Sequence, residues 1–175
     1  DADEAQAALI EPLGGDDALH LFRTLAHHPA LLKSWLRFGG QLLQRSTLPD
    51  RERELVILRV AMRCGSDYEW GQHVGIARDA GLGDDEILRV AKVGAGEVEA
   101  DDRWADHDAT LLRATDELLD EHCLSDDTWA RVTERYDTAQ AIELTLLVGH
   151  YAMLAGSLRS LGVQTETPLP RVGTV

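Results

Sequence analysis

The stretch that decides the fold runs from residue 66 to residue 82 and reads SDYEWGQHVGIARDAGL. Ser66 followed three residues later by Glu69 is a helix-capping pattern, and Gly81 is a typical residue for ending a helix. Between these signals the apolar residues recur with a helical period, which places Trp70 and Ile76 in one arc. The stretch therefore predicts an amphipathic helix that packs one face against a core.

Two ionisable side chains lie inside that apolar arc. Glu69 and His73 project between Ile76 and Ala77, and their spacing of four residues lets them touch. Because an unpartnered buried charge is costly, the pair predicts a proton-transfer site in which Glu69 orients His73. Two structural alternatives remain open: a Glu69 that only caps the helix through the Ser66 amide, and a His73 that is only a hydrogen-bonded core residue.

The same kind of interruption occurs in two other predicted helices. Glu54 lies within an apolar arc, either as a desolvated carboxyl with a raised pKa or as the partner of an arginine across the core. In the last helix Glu143 and His150 share a face, with Tyr151 beside them. Glu143 and His150 either face Glu69 and His73 across a pocket or are hydrogen-bonded only to each other.

Helical periodicity extends over nearly the whole chain, and alternating strand patterns are essentially missing. Capping residues, prolines and glycines predict about eight helices, over 17–28, 29–45, 50–64, 66–81, 85–93, 103–122, 125–136 and 138–161. Residues 94–102 are rich in glycine and acidic residues and are the best candidate for a linker. We therefore predict an all-α single domain over 16–162, with an N-terminal extension over 1–15 and an irregular C-terminal tail over 163–175.

The composition narrows the classes of function. The 175 residues include 31 Asp and Glu against 17 Lys and Arg, a net charge of −14. This balance argues against nucleic-acid binding and against anionic membrane surfaces. The most apolar run, 144–158, is shorter than a membrane span needs, and the first residues do not resemble a signal peptide. Two widely spaced cysteines, Cys64 and Cys123, suit a reducing cytosol, so we expect a cytoplasmic protein.

Residues 48–93, with Glu54, the run Tyr68-Glu69-Trp70 followed by His73, and the later AxxAGL, resemble the carboxymuconolactone decarboxylase family. That family shares the alkylhydroperoxidase D-like all-α fold, so the resemblance implies a helical bundle of this type. It also implies a homo-oligomer, a dimer, trimer or hexamer. Stripes that include Trp104, Trp129 and 111–112 offer an interface, although core packing is the simpler use for them.

The resemblance also bears on the reaction. Peroxidase members have a glutamate, a CxxC motif and a histidine at positions that correspond here to Glu54, to Ser66 and Glu69, and to His73. Both redox cysteines are therefore replaced, and thiol peroxidase chemistry needs a reactive thiolate with a resolving thiol beside it. Decarboxylase members lack these cysteines and need no cofactor, which implies a cofactor-free, lyase-like enzyme. Glu54, Glu69 and His73 could also bind a metal ion, but the sequence has no dedicated metal motif, so we predict no metal.

The leading hypothesis is an acid–base enzyme that decarboxylates, isomerises or ring-opens a small organic acid or lactone. We predict Glu54, Glu69 and His73 as catalytic residues, with Glu54 donating a proton or hydrogen bond to the developing oxyanion. Weaker candidates for substrate binding are Tyr68, His150 and Tyr151. Two alternatives are a peroxide-linked oxidoreductase that uses Cys64 with an external thiol, and a non-catalytic oligomer that binds a small molecule.

Overall fold

The computed structural model describes residues 4–92, 94, 103–166 and 169–175. All regular structure among these residues is helical, which confirms the all-α prediction. The described residues form nine α-helices: α1 (Glu4–Ile10), α2 (His20–Leu25), α3 (Pro29–Gln44), α4 (Asp50–Arg63), α5 (Asp67–Asp79), α6 (Asp84–Lys92), α7 (Asp106–Asp120), α8 (Asp126–Arg135) and α9 (Thr138–Ser160). Two 3-10 turns, Glu11–Leu13 and Gly15–Asp17, follow α1.

Local signals set most helix boundaries where they were predicted. Pro29 is the first residue of α3, and the Ser66 hydroxyl accepts a hydrogen bond from the Glu69 N–H at the start of α5. Gly81 follows α5 with a φ of 97°, a left-handed conformation that glycine adopts at low cost. Asp137 and Gln140 form a reciprocal capping box at the start of α9.

The N-terminal region differs from the prediction. The helix expected over 17–28 is the shorter α2, and α1 lies within the segment assigned to an extension. Gly14 and Gly15 both have positive φ, which breaks the helical path ahead of α2. A helix as short as α1 shows too few periodic positions to be read from sequence. The predicted linker, apart from Gly94, lies outside the described residues.

Helix α4 is the centre of the bundle and is buried on nearly every side. It packs against α5, α6, α7 and α9. A helical projection of this segment places Arg59 away from the apolar arc that holds Glu54. Its side chain is nevertheless fully buried and makes two hydrogen bonds to Asp116 on α7, at 2.8 and 2.6 Å. This bidentate pair supplies the partner that a buried guanidinium requires.

Helix α9 crosses the core beside α4, as its apolar composition predicts. Leu144, Leu147 and Val148 are buried in the same cluster as residues of α4 and α7. By length and composition alone α9 also qualifies as a membrane-spanning helix, and just over half of its most apolar window is buried inside the protein. The core helix of a soluble protein has these same features. Leu111 and Leu112 are likewise fully buried, so they serve the core.

The described residues of the C-terminal segment, 163–166 and 169–175, form no helix or strand, and part of this segment packs on α5. The Trp70 indole N–H donates to the carbonyl of Thr174 at 2.9 Å, and the Val172 N–H donates to Asp67 at 3.0 Å. Gly71 makes this docking possible, because a Cβ at that position would lie 2.8 Å from the Pro170 carbonyl oxygen. The tail therefore holds α5, the helix that carries Glu69 and His73.

We expect Gly71→Ala to destabilise the protein by about 1–3 kcal/mol, because the added methyl group must displace the tail backbone. Gly75→Ala on the same helix is the matched control, since its Cβ would meet nothing within 4 Å. That substitution should stabilise the protein by about 0.5–1 kcal/mol through helix propensity. Urea unfolding of both variants measures the difference, and equal stabilities would contradict the docking.

Candidate active site

The imidazole of His73 is paired with Glu54, not with Glu69. His73 Nδ1 lies 2.7 Å from Glu54 Oε2, and both side chains are buried where α4 meets α5. The predicted contact between Glu69 and His73 is therefore wrong, although both residues lie on one face of α5. Because Glu54 engages Nδ1, the other ring nitrogen, Nε2, is the one left for a ligand.

Glu54 has a second partner, its sequence neighbour. The Arg53 guanidinium donates from Nε to Glu54 Oε1 at 3.0 Å and from Nη1 to Asp50 at 2.6 Å. Both Glu54 oxygens thus have partners within the protein, which leaves neither of them free for the predicted contact with an oxyanion. The alternative of an arginine partner is the one found, with the arginine adjacent in sequence. Glu54 therefore orients the His73 ring.

Glu69 is the carboxyl without a partner. It is 2% exposed, and neither of its oxygens has a hydrogen-bonding partner in the described part of the chain. It also does not complete a capping box, because the Ser66 N–H donates to the carbonyl of Ala61. Burial raises the pKa of Glu69 to about 8, an effect that the nearby Ser66 hydroxyl only partly offsets. At neutral pH Glu69 is therefore mostly a protonated acid and can donate a proton.

Glu69 and His73 line the same cavity of about 170 Å³, which is partly open to solvent and is formed mainly by α2, α3, α5 and α9. Most of its lining is apolar and comes from Leu19, Leu21, Phe22, Leu36, Leu43, Ile76, Leu154 and Leu158. The remaining lining includes Trp35, Tyr68, Gln72, His150 and Tyr151. A mainly apolar pocket with a few polar groups is the usual form of a small-molecule site. The structure thus brings the predicted site residues together, with Glu54 behind His73.

His150 and Tyr151 form one wall of the cavity. The His150 ring stacks on Trp35 with centroids 5.6 Å apart, and burial lowers the pKa of His150, so its imidazole is neutral. Tyr151 makes edge contacts with both His73 and His150, at 5.1 and 5.4 Å. Burial raises the Tyr151 pKa, which keeps its hydroxyl protonated. Both residues are therefore placed to contact a ligand in their neutral forms.

The Glu143 carboxylate does not pair with His150. Its Oε2 atom accepts hydrogen bonds from the backbone N–H and the hydroxyl of Thr47, at 2.9 and 2.5 Å. His150 Nδ1 has no hydrogen-bonding partner among the described residues. Glu143 thus anchors the loop before α4, while His150 belongs to the cavity.

Tyr68 contributes its ring to the cavity, but its hydroxyl is already used. The hydroxyl accepts from the Leu21 N–H at 3.1 Å and donates to Glu166 at 3.0 Å. Glu166 also accepts from Gln72 at 2.5 Å and from the His20 N–H at 2.7 Å. These bonds fix two lining side chains of α5 to the C-terminal segment. Sequence reasoning missed Glu166, because no periodic pattern marks a residue in an irregular tail.

Helix α3 also contributes to the cavity, which was not predicted from the sequence. Trp35 lines the cavity, and its indole Nε1 is buried without a partner in the described structure. Gly39 and Gly40 line it as well, and a Cβ on Gly39 would lie 3.4 Å from His150 Nε2. A glycine pair inside an amphipathic helix was the available signal, because such a pair weakens the helix unless close packing requires it.

The residues of a thiol peroxidase site are not assembled here. Ser66 and Glu69 stand at the two cysteine positions, while Cys64 is half-buried and Cys123 is exposed. Burial raises the pKa of the Cys64 thiol, which disfavours the reactive thiolate. Over the described residues, no group of three histidine, cysteine or acidic side chains is arranged to hold a metal ion.

Residues 29–104 match the model of the carboxymuconolactone decarboxylase family, which confirms and extends the resemblance seen over 48–93. A search of curated proteins finds no sequence match. The matched segment includes Glu54, Glu69 and His73 and also the α3 wall of the cavity.

Solved structures share the fold at low sequence identity. The alkylhydroperoxidase AhpD core of an uncharacterised peroxidase-related protein from Ralstonia eutropha JMP134 is 14% identical, with a TM-score of 0.77 over 95% of this chain and 91% of that one. An AhpD-like protein of unknown function from Agrobacterium tumefaciens is 16% identical, with a TM-score of 0.70 over 82% of this chain and 96% of that one. A cysteine-to-alanine variant of the debrominase Bmp8, in complex with 2,3,4-tribromopyrrole, is 13% identical, with a TM-score of 0.68 over 94% of this chain and 85% of that one. These likenesses establish the alkylhydroperoxidase D-like fold.

Proposed function

From the match of residues 29–104 to the carboxymuconolactone decarboxylase family, we propose that this chain is an enzyme that performs acid–base chemistry on a small carbonyl compound. The observation that supports it most directly is the pairing of two different proton carriers in one apolar cavity. His73, backed by Glu54, is the base, and the protonated Glu69 is the acid. Environments that separate the protonation states of two groups are typical of acid–base enzymes.

A proton-transfer step on a bound carbonyl compound follows from these roles. His73 Nε2 removes a proton from the carbon next to the carbonyl, and the C–H electron pair becomes the new carbon–carbon π bond. The carbonyl π pair moves to oxygen, which takes the proton of Glu69. The products of the step are a neutral enol, an imidazolium held by Glu54, and a Glu69 carboxylate. Return of a proton to a different carbon completes an isomerisation.

Related reactions use the same groups. In ring opening of a lactone, His73 activates a water molecule while Glu69 donates to the carbonyl oxygen. In decarboxylation, loss of CO₂ leaves an enolate that Glu69 protonates on oxygen. The peroxide reaction has weaker support, because it would depend on Cys64, whose thiol pKa is raised by burial. A protein that only binds a small molecule would use the cavity but not the pairing of Glu54 with His73.

The proposal is tested with three ring-sized probes. We expect the wild-type protein to accelerate deuterium exchange into cyclohexanone in D₂O, hydrolysis of δ-valerolactone, or loss of CO₂ from 2-oxocyclohexanecarboxylate. Glu54→Gln should lower that rate by about 10²-fold or more, because the amide cannot stabilise the imidazolium. It should also shift the pH at which the rate rises, a change that a purely structural role of Glu54 would not cause.

The control is the double variant Cys64→Ser with Cys123→Ser, which should keep the wild-type rate. Loss of turnover in this variant would favour the thiol-dependent reaction instead. Failure of the wild-type protein to accelerate any of the three reactions would contradict the proposal, as would full activity in Glu54→Gln.

A further inference from the structure

Among the described residues, no lysine or arginine lines the cavity. Its polar members among the described residues are Gln44, Tyr68, Glu69, Gln72, His73, His150 and Tyr151, together with the indole N–H of Trp35. The residues outside the described ranges contain no lysine or arginine, so they do not supply one either. A carboxylate that binds here loses its hydration shell and gains no cationic partner in return, which is strongly unfavourable.

Two arginines in the described part of the chain lie near the cavity without lining it. Arg45 lies against Gly40 and hydrogen-bonds Gln41 and the Arg37 carbonyl, whereas the charge of Arg53, behind His73, is neutralised. Arg53 contacts Asp50 and Glu54, and Glu54 also holds the Nδ1 atom of His73. If His73 takes up a proton, the Glu54 carboxylate balances its charge. This part of the active site therefore offers no net positive field to an anionic ligand.

Several hydrogen-bonding atoms of the lining side chains have no protein partner. Both oxygens of Glu69, Nε1 of Trp35 and Nδ1 of His150 are buried and unpaired in the part of the chain that the structure describes. Buried polar atoms in folded proteins are nearly always satisfied, so orphaned atoms from three side chains of one cavity indicate a ligand with its own polar group. Protonated Glu69 and the Trp35 N–H are both donors, and both suit an acceptor such as a carbonyl oxygen.

The size of the cavity limits the ligand further. A volume of about 170 Å³ is close to that of cavities that bind a benzene-sized molecule. Apolar residues from α2, α3, α5 and α9 surround most of it. A single apolar ring with a small polar substituent is therefore the ligand body that fits this volume.

We propose that the cavity selects an uncharged, ring-sized carbonyl compound over the corresponding carboxylate, with Glu69 and Trp35 as the donors to the carbonyl oxygen. The reaction of the bound compound rests on the proposed acid–base function, whereas the preference for an uncharged ligand rests on the cavity alone. It narrows the reactions to proton transfer on a neutral ketone or ring opening of a lactone. Decarboxylation is disfavoured, because its substrate must bring a carboxylate into the same space.

Binding of a matched pair of probes to the whole chain tests the selectivity. Acetophenone and benzoate have nearly the same shape, but only benzoate is charged at pH 7. We expect isothermal titration calorimetry to show acetophenone binding about 10-fold or more tightly than benzoate. Benzylammonium, the cationic probe, should also bind more weakly than acetophenone, because a protonated Glu69 offers it no charge.

Two variants test the donors. Trp35→Phe keeps an aromatic ring but removes the N–H, and it should weaken acetophenone binding about five-fold. Glu69→Gln keeps a neutral donor at every pH, so its affinity for acetophenone should stay constant from pH 6 to 9. The wild-type protein should lose affinity above about pH 8, as Glu69 ionises. Glu134→Gln, an exposed change on α8, is the control for both variants.

The titratable groups around Glu69 do not obscure this pH dependence. The pKa values of Tyr151 and Tyr68 are raised by burial, and so is that of Cys64, which keeps all three groups protonated. Burial lowers the pKa of His150, which stays neutral. His73 is paired with Glu54 and also lines the cavity, and it is present in both proteins. Subtracting the Glu69→Gln profile from the wild-type profile therefore removes its contribution.

Equal or tighter binding of benzoate or benzylammonium would overturn the proposal, and so would the absence of binding by all three probes up to about 10 mM. A pH profile of the wild-type protein that matches that of Glu69→Gln would also overturn the role of Glu69. These binding measurements need no turnover. The selectivity can therefore be confirmed when the catalytic proposal fails, and the catalytic proposal can be confirmed when the selectivity fails.

Discussion

Glu69→Gln should stabilise the protein progressively, relative to wild type, as the pH rises from about 4.5 to 8. The reason is the buried carboxyl, whose pKa is about 8 in the folded protein against an ordinary value of 4.5. Between these two values the unfolded chain has released the proton while the folded protein still holds it. The free energy of unfolding of the wild-type protein therefore falls with pH, by up to about 1.4 kcal/mol for each pH unit.

The wild-type protein loses stability as the pH rises because the folded state favours the protonated form of Glu69. The stability contributed by neutral Glu69 is fully present below pH 4.5 and is lost as the pH rises through 8, where both states are ionised. Glutamine has no proton to lose, so the variant lacks this dependence. Over the whole range the difference in unfolding free energy should grow by a few kcal/mol, an unusually large effect for one buried side chain.

Urea unfolding of both proteins at several pH values measures this difference. The other carboxylates titrate in both proteins, so they cancel when the two curves are subtracted. Glu134→Gln should differ from wild type by a small amount that stays the same across the pH range, because its side chain is exposed. A difference between wild type and Glu69→Gln that does not change with pH would show that Glu69 is ionised in the folded protein.

His73→Ala should abolish most of the turnover on whichever probe the wild-type protein uses. We expect a rate loss of roughly 10²–10⁴-fold, the usual contribution of a general base. The Nε2 atom of His73 is the one basic nitrogen in the described structure that combines a place in the cavity with a carboxylate partner, since His150 lacks such a partner. Initial rates in D₂O buffer, with cyclohexanone followed by NMR, give the comparison.

Chemical rescue separates a lost base from a damaged fold. His73→Ala leaves a space beside Glu54, and imidazole added to the solution should fill it and restore part of the rate. His73→Gln, which has a similar volume but no base, should remain inactive with or without imidazole. A His73→Ala protein that keeps full activity while unfolding cooperatively would rule out His73 as the base.

Most of the helices are predictable because their signals are local. Pro29, Ser66 and Gly81 act on the few residues around them, and a period of 3.6 residues identifies a helix without knowledge of its neighbours. The short α1 escaped prediction, since seven residues show too little periodicity. Arg59 was misplaced for a different reason. In a helix that is buried on all sides, the charged residues are buried as well. Only the position of Asp116 on α7 shows that the buried guanidinium has a partner.

The composition of the site was predictable, but its pairing was not. Glu54, Glu69 and His73 are each recognisable as ionisable residues within apolar arcs, and all three do meet at one place in the fold. Spacing along α5 predicted that Glu69 would orient His73, whereas the approach of α4 delivers Glu54 to that position instead. A contact between neighbouring helices depends on their separation and rotation, which local spacing does not encode.

The sequence by itself therefore determined the helical fold, the family resemblance and the identity of the three ionisable residues, because each depends on local spacing and residue type. Only the tertiary structure decided which carboxyl is neutral. Glu54 keeps two hydrogen-bonding partners, while Glu69 is enclosed by apolar side chains and has none among the described residues. Desolvation and pairing depend on every group around a side chain, and those groups come from helices far apart in the chain.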